Sequence, residues 1–300
     1  MATASSSARQ ALSAAVDALA AAGVEDPRLD AEVLLAEAAG VNRAALVADG
    51  GAEVPPAAAR RFGEMVRRRL RREPVAYIVG RKGFRRLDLA VDRRVLVPRP
   101  ETELLVELAL EMESANVLDV GTGSGAIALA VADELPECAV TATDTSPAAL
   151  EVARANAERL GLANRVRFVA GTLPDDGAAA KGADFDLVLA NLPYVAERDW
   201  PSLQPEVTQW EPREALLAGP DGLDAYRAFI PESAGPLHRY PEQRAGALAL
   251  EVGEGQAPAV AELMRGAGFG AVETRRDLAG IERVVVGRLD GGEPAEARRA

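Results

Sequence analysis

Over residues 8–48 apolar positions recur at helical spacing: Leu12, Ala15, Val16 and Leu19, then Leu29, Val33 and Leu34, then Leu46. The pattern breaks at residues 23–27 and 40–42, where Gly, Pro and Asn accumulate, so several short helices are expected. Pro55 opens a further helix that runs through an arginine-rich stretch to Arg72. Residues 1–73 are therefore expected to form a small helical bundle. The period then shortens: residues 75–80, 83–91 and 95–97 read as strands, the middle one as part of a hairpin, giving a β connector over 74–98. After Pro100, the residues Leu104, Leu105, Val106, Leu108 and Leu110 continue as a helix. From there apolar runs of strand length alternate with helical patterns. Strands are expected at 117–120, 139–143, 166–169, 187–189, 247–252 and 283–286, and helices at 127–135, 147–160, near 226–230 and at 258–266. The alternation predicts a doubly wound α/β domain over 99–289, its sheet mostly parallel. Residues 290–300 are polar and read as a disordered tail.

Composition narrows this picture. With 48% hydrophobic residues the 300-residue chain can fill a sizeable core. No stretch approaches the roughly 20 uncharged apolar residues of a membrane span, and residues 1–7 lack a basic start followed by an apolar run, so a cytoplasmic location is expected. The single cysteine, Cys138, excludes an internal disulfide and reads as a structural residue at a strand entrance. Net charge is −12, unevenly spread: residues 1–95 carry 16 Lys+Arg against 12 Asp+Glu, leaving 18 against 34 for the remainder. The basic run Arg60, Arg61, Arg67, Arg68, Arg69, Arg71 and Arg72 reads as a solvated helix face, with docking of a protein partner favoured over direct nucleic-acid binding. Apart from Lys82 and Lys181, every basic residue is Arg.

Two stretches carry chemistry. Asp119-Val120-Gly121-Thr122-Gly123-Ser124-Gly125 ends a strand and opens a helix, so its glycines permit a tight turn and close backbone approach to a ligand. Asp144, 23 residues beyond Gly121, falls at the next strand's end, where a carboxylate accepts hydrogen bonds from ribose hydroxyls. Ala126 stands where the strict dinucleotide fingerprint has its last glycine, and no Gly-Lys-Ser/Thr follows for a P-loop. The acidic Asp119 suits an ammonium better than a pyrophosphate, which points to S-adenosylmethionine. Asn191-Leu192-Pro193-Tyr194 closes the apolar run 185–190. An Asn amide and a carbonyl held stiff by the following proline, with an aromatic ring beside them, form a socket for a planar group bearing NH2; the plainer reading is a strand followed by a proline turn. Arg99-Pro100-Glu101-Thr102-Glu103 is ordinary helix-start chemistry in one reading; in the other, the helix end with Thr102 faces a ligand carboxylate or a substrate edge. No metal-binding cluster is expected, and the lone His238 reads as a surface or turn residue.

Residues 117–128, Asp144 and Asn191-Leu192-Pro193-Tyr194 resemble the cofactor loop, ribose acid and target-amide motif of class I methyltransferases acting on planar nitrogen. Residues 74–80, 95–103, Glu211-Pro212 with Ala215-Leu216, Gly219 with residues 221–224, and Glu251-Val252-Gly253 with Gln256 extend the likeness to nearly the whole chain, which resembles the PrmC/HemK family. The resemblance implies a helical substrate-recognition domain before a Rossmann-like methyltransferase domain, and S-adenosylmethionine as cofactor. It also implies methylation of the glutamine amide in the Gly-Gly-Gln motif of class I peptide-chain release factors; a monomer is expected. Residues implied for the cofactor are Arg99, Thr102, Asp119, Gly121, Thr122, Gly123, Ser124, Gly125, Asp144, Leu173 and Asn191; those for the amide are Asn191, Leu192, Pro193 and Tyr194. Asn191 Oδ1 and the Leu192 carbonyl can accept from the two amide N–H groups, with Tyr194 as a wall and no general base. The chain departs from the family in Leu192, where Asn-Pro-Pro-Tyr is usual, and at Thr172, where an acidic residue is common. Asn-Leu-Pro-Tyr is also the spelling in ribosomal RNA adenine dimethylases, so an RNA adenine methyltransferase is the enzymatic alternative. A cofactor-binding pseudoenzyme that docks release factors is the non-enzymatic one.

Overall fold

The computed structural model describes residues 7–48, 51, 53–174, 185–235, 237 and 246–289. The tail expected over 290–300, with Lys181 and His238, lies outside the described residues. Among the described residues the chain forms eleven α-helices and nine strands. They divide into two compact units, Met1–Arg81 with Gln204–Trp210, and Lys82–Leu203 with Glu211–Ala300.

The first unit begins with α1 (Ala8–Ala21), α2 (Pro27–Ala39), α3 (Arg43–Ala48), α4 (Pro56–Leu70) and α5 (Val75–Val79). Local chemistry sets the boundaries. Ser7 and Gln10 form a reciprocal capping box that satisfies two orphan amides at the start of α1. Pro27 opens α2 and Gly40 closes it in the left-handed conformation. Leu19, Leu34, Leu35, Leu46, Phe62 and Ile78 meet in the core, each buried. The strand expected at 75–80 is instead the helical turn α5. Its five apolar residues are too few for periodicity to separate strand from helix. Pro74 before it and left-handed Gly80 after it favour the turn, which buries Tyr77 and Ile78.

The second unit opens with a hairpin, β1 (Arg81–Phe84) and β2 (Leu87–Ala90), where the sequence pattern predicts one continuous piece over 83–91. Arg85 at the turn takes φ 51°, and its guanidinium grips both Glu134 oxygens at 2.8 Å. Residues 95–97 form no strand: the Val97 N–H donates to the Glu211 side chain at 3.1 Å, so a carboxylate replaces a strand neighbour. The chain continues through a 3-10 turn, Pro100–Thr102, into α6 (Glu103–Glu111). Then β3 (Asn116–Val120), α7 (Ala126–Glu134), β4 (Ala139–Asp144), α8 (Pro147–Arg159), β5 (Val166–Ala170) and β6 (Leu187–Ala190) follow closely the expected alternation. After α9 (Pro205–Trp210), which belongs to the first unit, come α10 (Asp224–Ser233), β7 (Ala247–Glu251), α11 (Ala257–Gly266), β8 (Phe269–Arg276) and β9 (Glu282–Leu289).

Among the described residues the large sheet has seven strands in the order β5-β4-β3-β6-β7-β9-β8, parallel through β7 and antiparallel at β9 and β8. Helices cover both faces, which is why β3, β6 and β7 read as unbroken apolar runs. Val117, Leu187 and Leu189 enter the core shared with α6 and α7; Leu118, Val120, Val188 and Ala190 enter the core shared with α10 and α11. The order reverses beside β3: β4 and β5 lie to one side, β6 to the other. This switch point leaves a crevice outside the carboxyl ends of β3 and β6. Cys138 is buried just before β4, and burial pushes its thiol up to about 11.

In the first unit the arginine run divides. Arg60, Arg61, Arg67 and Arg71 are exposed, as a solvated face requires. Arg69 is buried, 2.7 Å from Asp30 and 2.6 Å from Glu206 of α9, and Arg72 reaches both Glu206 oxygens at 2.8 and 2.6 Å. Arg68 grips Glu73. Three of the seven thus tie the unit internally, because partners from α2, α9 and residue 73 face them.

Candidate active site

The glycine loop sits where β3 ends. Gly121 N and Thr122 N both donate to Thr143 O at 2.9 Å, pinning the loop to the neighbouring strand β4. Gly125 takes φ 84°, and a Cβ there would stand 2.8 Å from Leu129 Cδ1, so only glycine lets α7 begin so close behind the loop. Asp119 is fully buried beneath it. Its Oδ2 accepts from Thr122 Oγ1 at 2.6 Å and from Ala128 N at 3.1 Å, while Oδ1 has no hydrogen-bond partner among the described residues. Burial pushes its carboxyl up to about 7; the Thr122 and Ala128 hydrogen bonds oppose that rise and the Asp144 charge adds to it. Asp144, at the end of β4, accepts from Gly123 N at 2.9 Å through one oxygen and from Ser146 N at 2.8 Å through the other.

A cleft enclosing about 830 Å³ of empty space, open solvent included, lies over these strand ends. Gly121, Gly123, Asp144, Asn191, Leu192 and Pro193 line it together, so the two motifs that are 70 residues apart in sequence (121 to 191) face one space. Register explains this: Val120 pairs with Ala190, so Gly121 and Asn191 leave adjacent strands at the same level. Thr122 and Ser124 are buried within the loop and shape it from behind. Thr172 reaches the cleft wall, whereas Leu173 packs against the core shared with α10.

Thr102 and Arg99 stand off the cleft wall. Asn191 Nδ2 donates to Thr102 Oγ1 at 3.1 Å, so Thr102 backs the Asn191 side chain. Arg99 pairs with Glu211, the same carboxylate that receives Val97 N–H, which anchors the segment before α6. Tyr194 is partly buried; its carbonyl accepts from Gln256 Nε2 at 2.9 Å. Burial first, then the nearby Glu251 charge, push its phenol up to about 12, so it stays neutral at ordinary pH.

Residues that motif reading left without a role also belong here. Val95 and Leu96 line the cleft from the segment expected as a strand, and Pro212 and Ala215 line it from the far side. Asn156 ties the glycine loop to the hairpin by donating to Ser124 O and Ala90 O, both at 2.9 Å. No local signal marks Asn156, which sits within an ordinary helix pattern.

The sequence pattern of the PrmC N-terminal domain matches residues 10–80, and that of a methyltransferase domain matches residues 117–210. The release factor glutamine methyltransferase of Moorella thermoacetica is 46% identical over 280 residues, spanning 92% of this chain and 96% of that protein. The chain belongs to the release factor glutamine methyltransferase family. The Deinococcus radiodurans member is 42% identical over 288 residues, covering 95% of this chain and 99% of its own. Among solved structures, the hMettl16 catalytic domain in complex with MAT2A 3′UTR hairpin 6 is similar with a TM-score of 0.52 at 14% identity, covering 68% of this chain and 76% of that one. That is a likeness of fold alone. As a family member the chain is an S-adenosylmethionine-dependent methyltransferase, and among the described residues no helix is long and apolar enough to cross a membrane.

The residues present fit that cofactor. The orphan Asp119 Oδ1 is a buried acceptor beneath the loop, suited to an ammonium group. Each Asp144 oxygen accepts a single N–H and keeps a lone pair for a ribose hydroxyl.

Proposed function

We propose that this chain methylates the side-chain amide nitrogen of the glutamine in the Gly-Gly-Gln motif of class I peptide-chain release factors, acting in the cytoplasm as a monomer on protein rather than on nucleic acid. The observation that carries the reading is Asn191 at the mouth of the cofactor cleft with its Nδ2 committed to Thr102. With its donor end turned inward, the acceptor end Oδ1 is the part of the amide left for a ligand.

S-adenosylmethionine, when bound, supplies an electrophilic methyl group on a sulfonium sulfur. An amide nitrogen is a poor nucleophile because its lone pair is delocalised, so the protein's task is alignment. Asn191 Oδ1 and the Leu192 carbonyl accept from the two N–H groups of the glutamine and hold its plane. Pro193 has no N–H, so it puts no competing donor into the socket, and it keeps Leu192 extended. Tyr194, neutral and partly buried, walls the amide plane. Asn191 Oδ1 and the Leu192 carbonyl would keep the nitrogen aimed while it takes the methyl group from the sulfonium and gives up one of its own protons to water. No general base is needed, since the nitrogen becomes strongly acidic as it is alkylated.

Leu192 leaves this arrangement intact: it supplies a carbonyl as proline does, and its side chain packs into the core shared with α10. Family membership over nearly the whole chain favours the glutamine amide over an adenine, and the acidic balance of −12 opposes tight binding to phosphates. Labelled S-adenosylmethionine should mark a release factor, and leave unmarked both the same factor with its glutamine substituted and ribosomal RNA. Label on RNA with none on the release factor would overturn the reading.

A further inference from the structure

Glu251, the last residue of β7, has no part in the chemistry above, yet it lies against it. Leu250 pairs with Ala190, so Glu251 and Asn191 leave adjacent strands side by side. Glu251 is 2% exposed, and its Oε2 has no hydrogen-bond partner among the described residues. Its carboxyl is within hydrogen-bond reach of the side chains of Thr102 and Asn191. The backbone there is fixed, because the Tyr226 hydroxyl donates to the Glu251 carbonyl at 2.7 Å.

The donors can be counted. Asn191 Nδ2 carries two hydrogens, one on Thr102 Oγ1 at 3.1 Å and the other free for Glu251. Thr102 is buried and has a single hydroxyl hydrogen; with its oxygen already accepting from Asn191, that hydrogen is available to Glu251. A carboxylate only accepts, so this arrangement works in one direction. If the Asn191 amide were flipped, its oxygen would face a buried carboxylate and its NH2 would face the cleft. That presents the wrong polarity to a substrate NH2.

We propose that Glu251 is a positioning residue for methyl transfer: its carboxylate, with Thr102, holds the Asn191 amide with Nδ2 inward and Oδ1 toward the substrate. The inference rests on the glutamine-amide reading above. Only the ionised form of Glu251 enforces the orientation; a protonated carboxyl can donate to a flipped Asn191 oxygen. The groups facing it act in different directions. Burial pushes the carboxyl up to about 7, Glu101 of the 3-10 turn adds to the rise, and Thr102, Arg283 of β9 and Asn191 oppose it. Tyr194 and Tyr226 also lie near, both phenols raised and neutral. A log kcat that climbs with pH toward about 7 and levels above it is the expected signature.

The test uses the full chain, a release factor and S-adenosylmethionine, with kcat, KM and cofactor Kd measured between about pH 5.5 and 9. Wild-type turnover on the release factor tests the underlying reading, and its absence would remove that reading rather than the role of Glu251 alone. Given turnover, Glu251→Gln should lower kcat by about 10- to 100-fold, leave cofactor Kd within about twofold and flatten the acid limb, because the amide that replaces the carboxylate does not titrate and accepts either orientation of Asn191. Retention of the acid limb, or kcat within about twofold of wild type at the plateau, overturns the proposal. Should Glu251→Gln fail to fold, Thr102→Val decides. It removes a hydrogen bond that favours the carboxylate, so the acid limb must move to higher pH; an unmoved limb sinks the idea.

Discussion

At the scale of single residues, the site depends on which side-chain atoms are already satisfied. In the proposed mechanism Asn191→Ala removes the acceptor that aims the glutamine nitrogen, while the glycine loop and Asp144 remain. Turnover should drop by about 100- to 1,000-fold with cofactor affinity nearly unchanged, measured by steady-state kinetics beside calorimetric titration. Equal losses in both would show that Asn191 serves the cofactor instead. Asp119 tests the loop in another way. Its carboxyl lies near 7 in the fold against an ordinary 3.8, so the buried proton stabilises the cofactor-free protein fully at acid pH, and that stability is lost as pH rises through about 7. Asp119→Asn mimics the protonated form at every pH. Thermal melts from about pH 4 to 8 should therefore show the variant gaining on wild type by on the order of a few kcal/mol. Parallel melting curves across that range would contradict the burial of an uncompensated carboxylate. Asp119, Asp144 and Asn191 are legible in the sequence because each sits in a short motif at a strand end. Asn156 is not, and Glu251 stands out only as part of the family likeness with no role of its own: strand order and helix docking bring them to the site.

At the scale of elements, agreement between sequence and structure follows the strength of local periodicity. The βα alternation from β3 to β6 is correct within a residue or two, because buried parallel strands are continuous apolar runs between capped helices. Strand β8 leaves no apolar pattern, since Phe269 is its single buried residue and most of the others are exposed, as suits an edge strand. The α5 turn and the 95–97 segment differ from their expected strands because their structure is decided by a glycine cap and by the Glu211 carboxylate, respectively. The arginine run of α4 is the sharpest case. Charge alone cannot separate Arg67, which is exposed, from Arg69, which lies between Asp30 and Glu206. Burial raises the Asp30 carboxyl even against the Arg69 hydrogen bond, so the cluster depends on that guanidinium. Arg69→Ala leaves the half-buried Asp30 carboxylate without its guanidinium, while Glu206 keeps Arg72, and should cost about 3 kcal/mol in urea unfolding, whereas Arg67→Ala should stay within about 0.5 kcal/mol. Equal effects from the two substitutions would show that Arg69 is not tied into the fold.

At the scale of the whole molecule, an acidic chain joins a helical unit and an α/β unit whose switch-point crevice is lined by both the glycine loop and the Asn191-Leu192-Pro193 turn. Fold class and cofactor are within reach of sequence because the glycine loop, Asp144 and strand alternation agree with one another. The choice of acceptor is harder, since the tetrapeptide serves any planar NH2 and Leu192 matches a motif used on adenine. Family membership decides that point. The most direct measurement is to incubate the chain with S-adenosylmethionine and an unmodified class I release factor, then locate the added mass by peptide fragmentation. One methyl group on the side-chain nitrogen of the Gly-Gly-Gln glutamine is the predicted result; a methyl group at any other residue, or an unmodified factor beside methylated RNA, would contradict it.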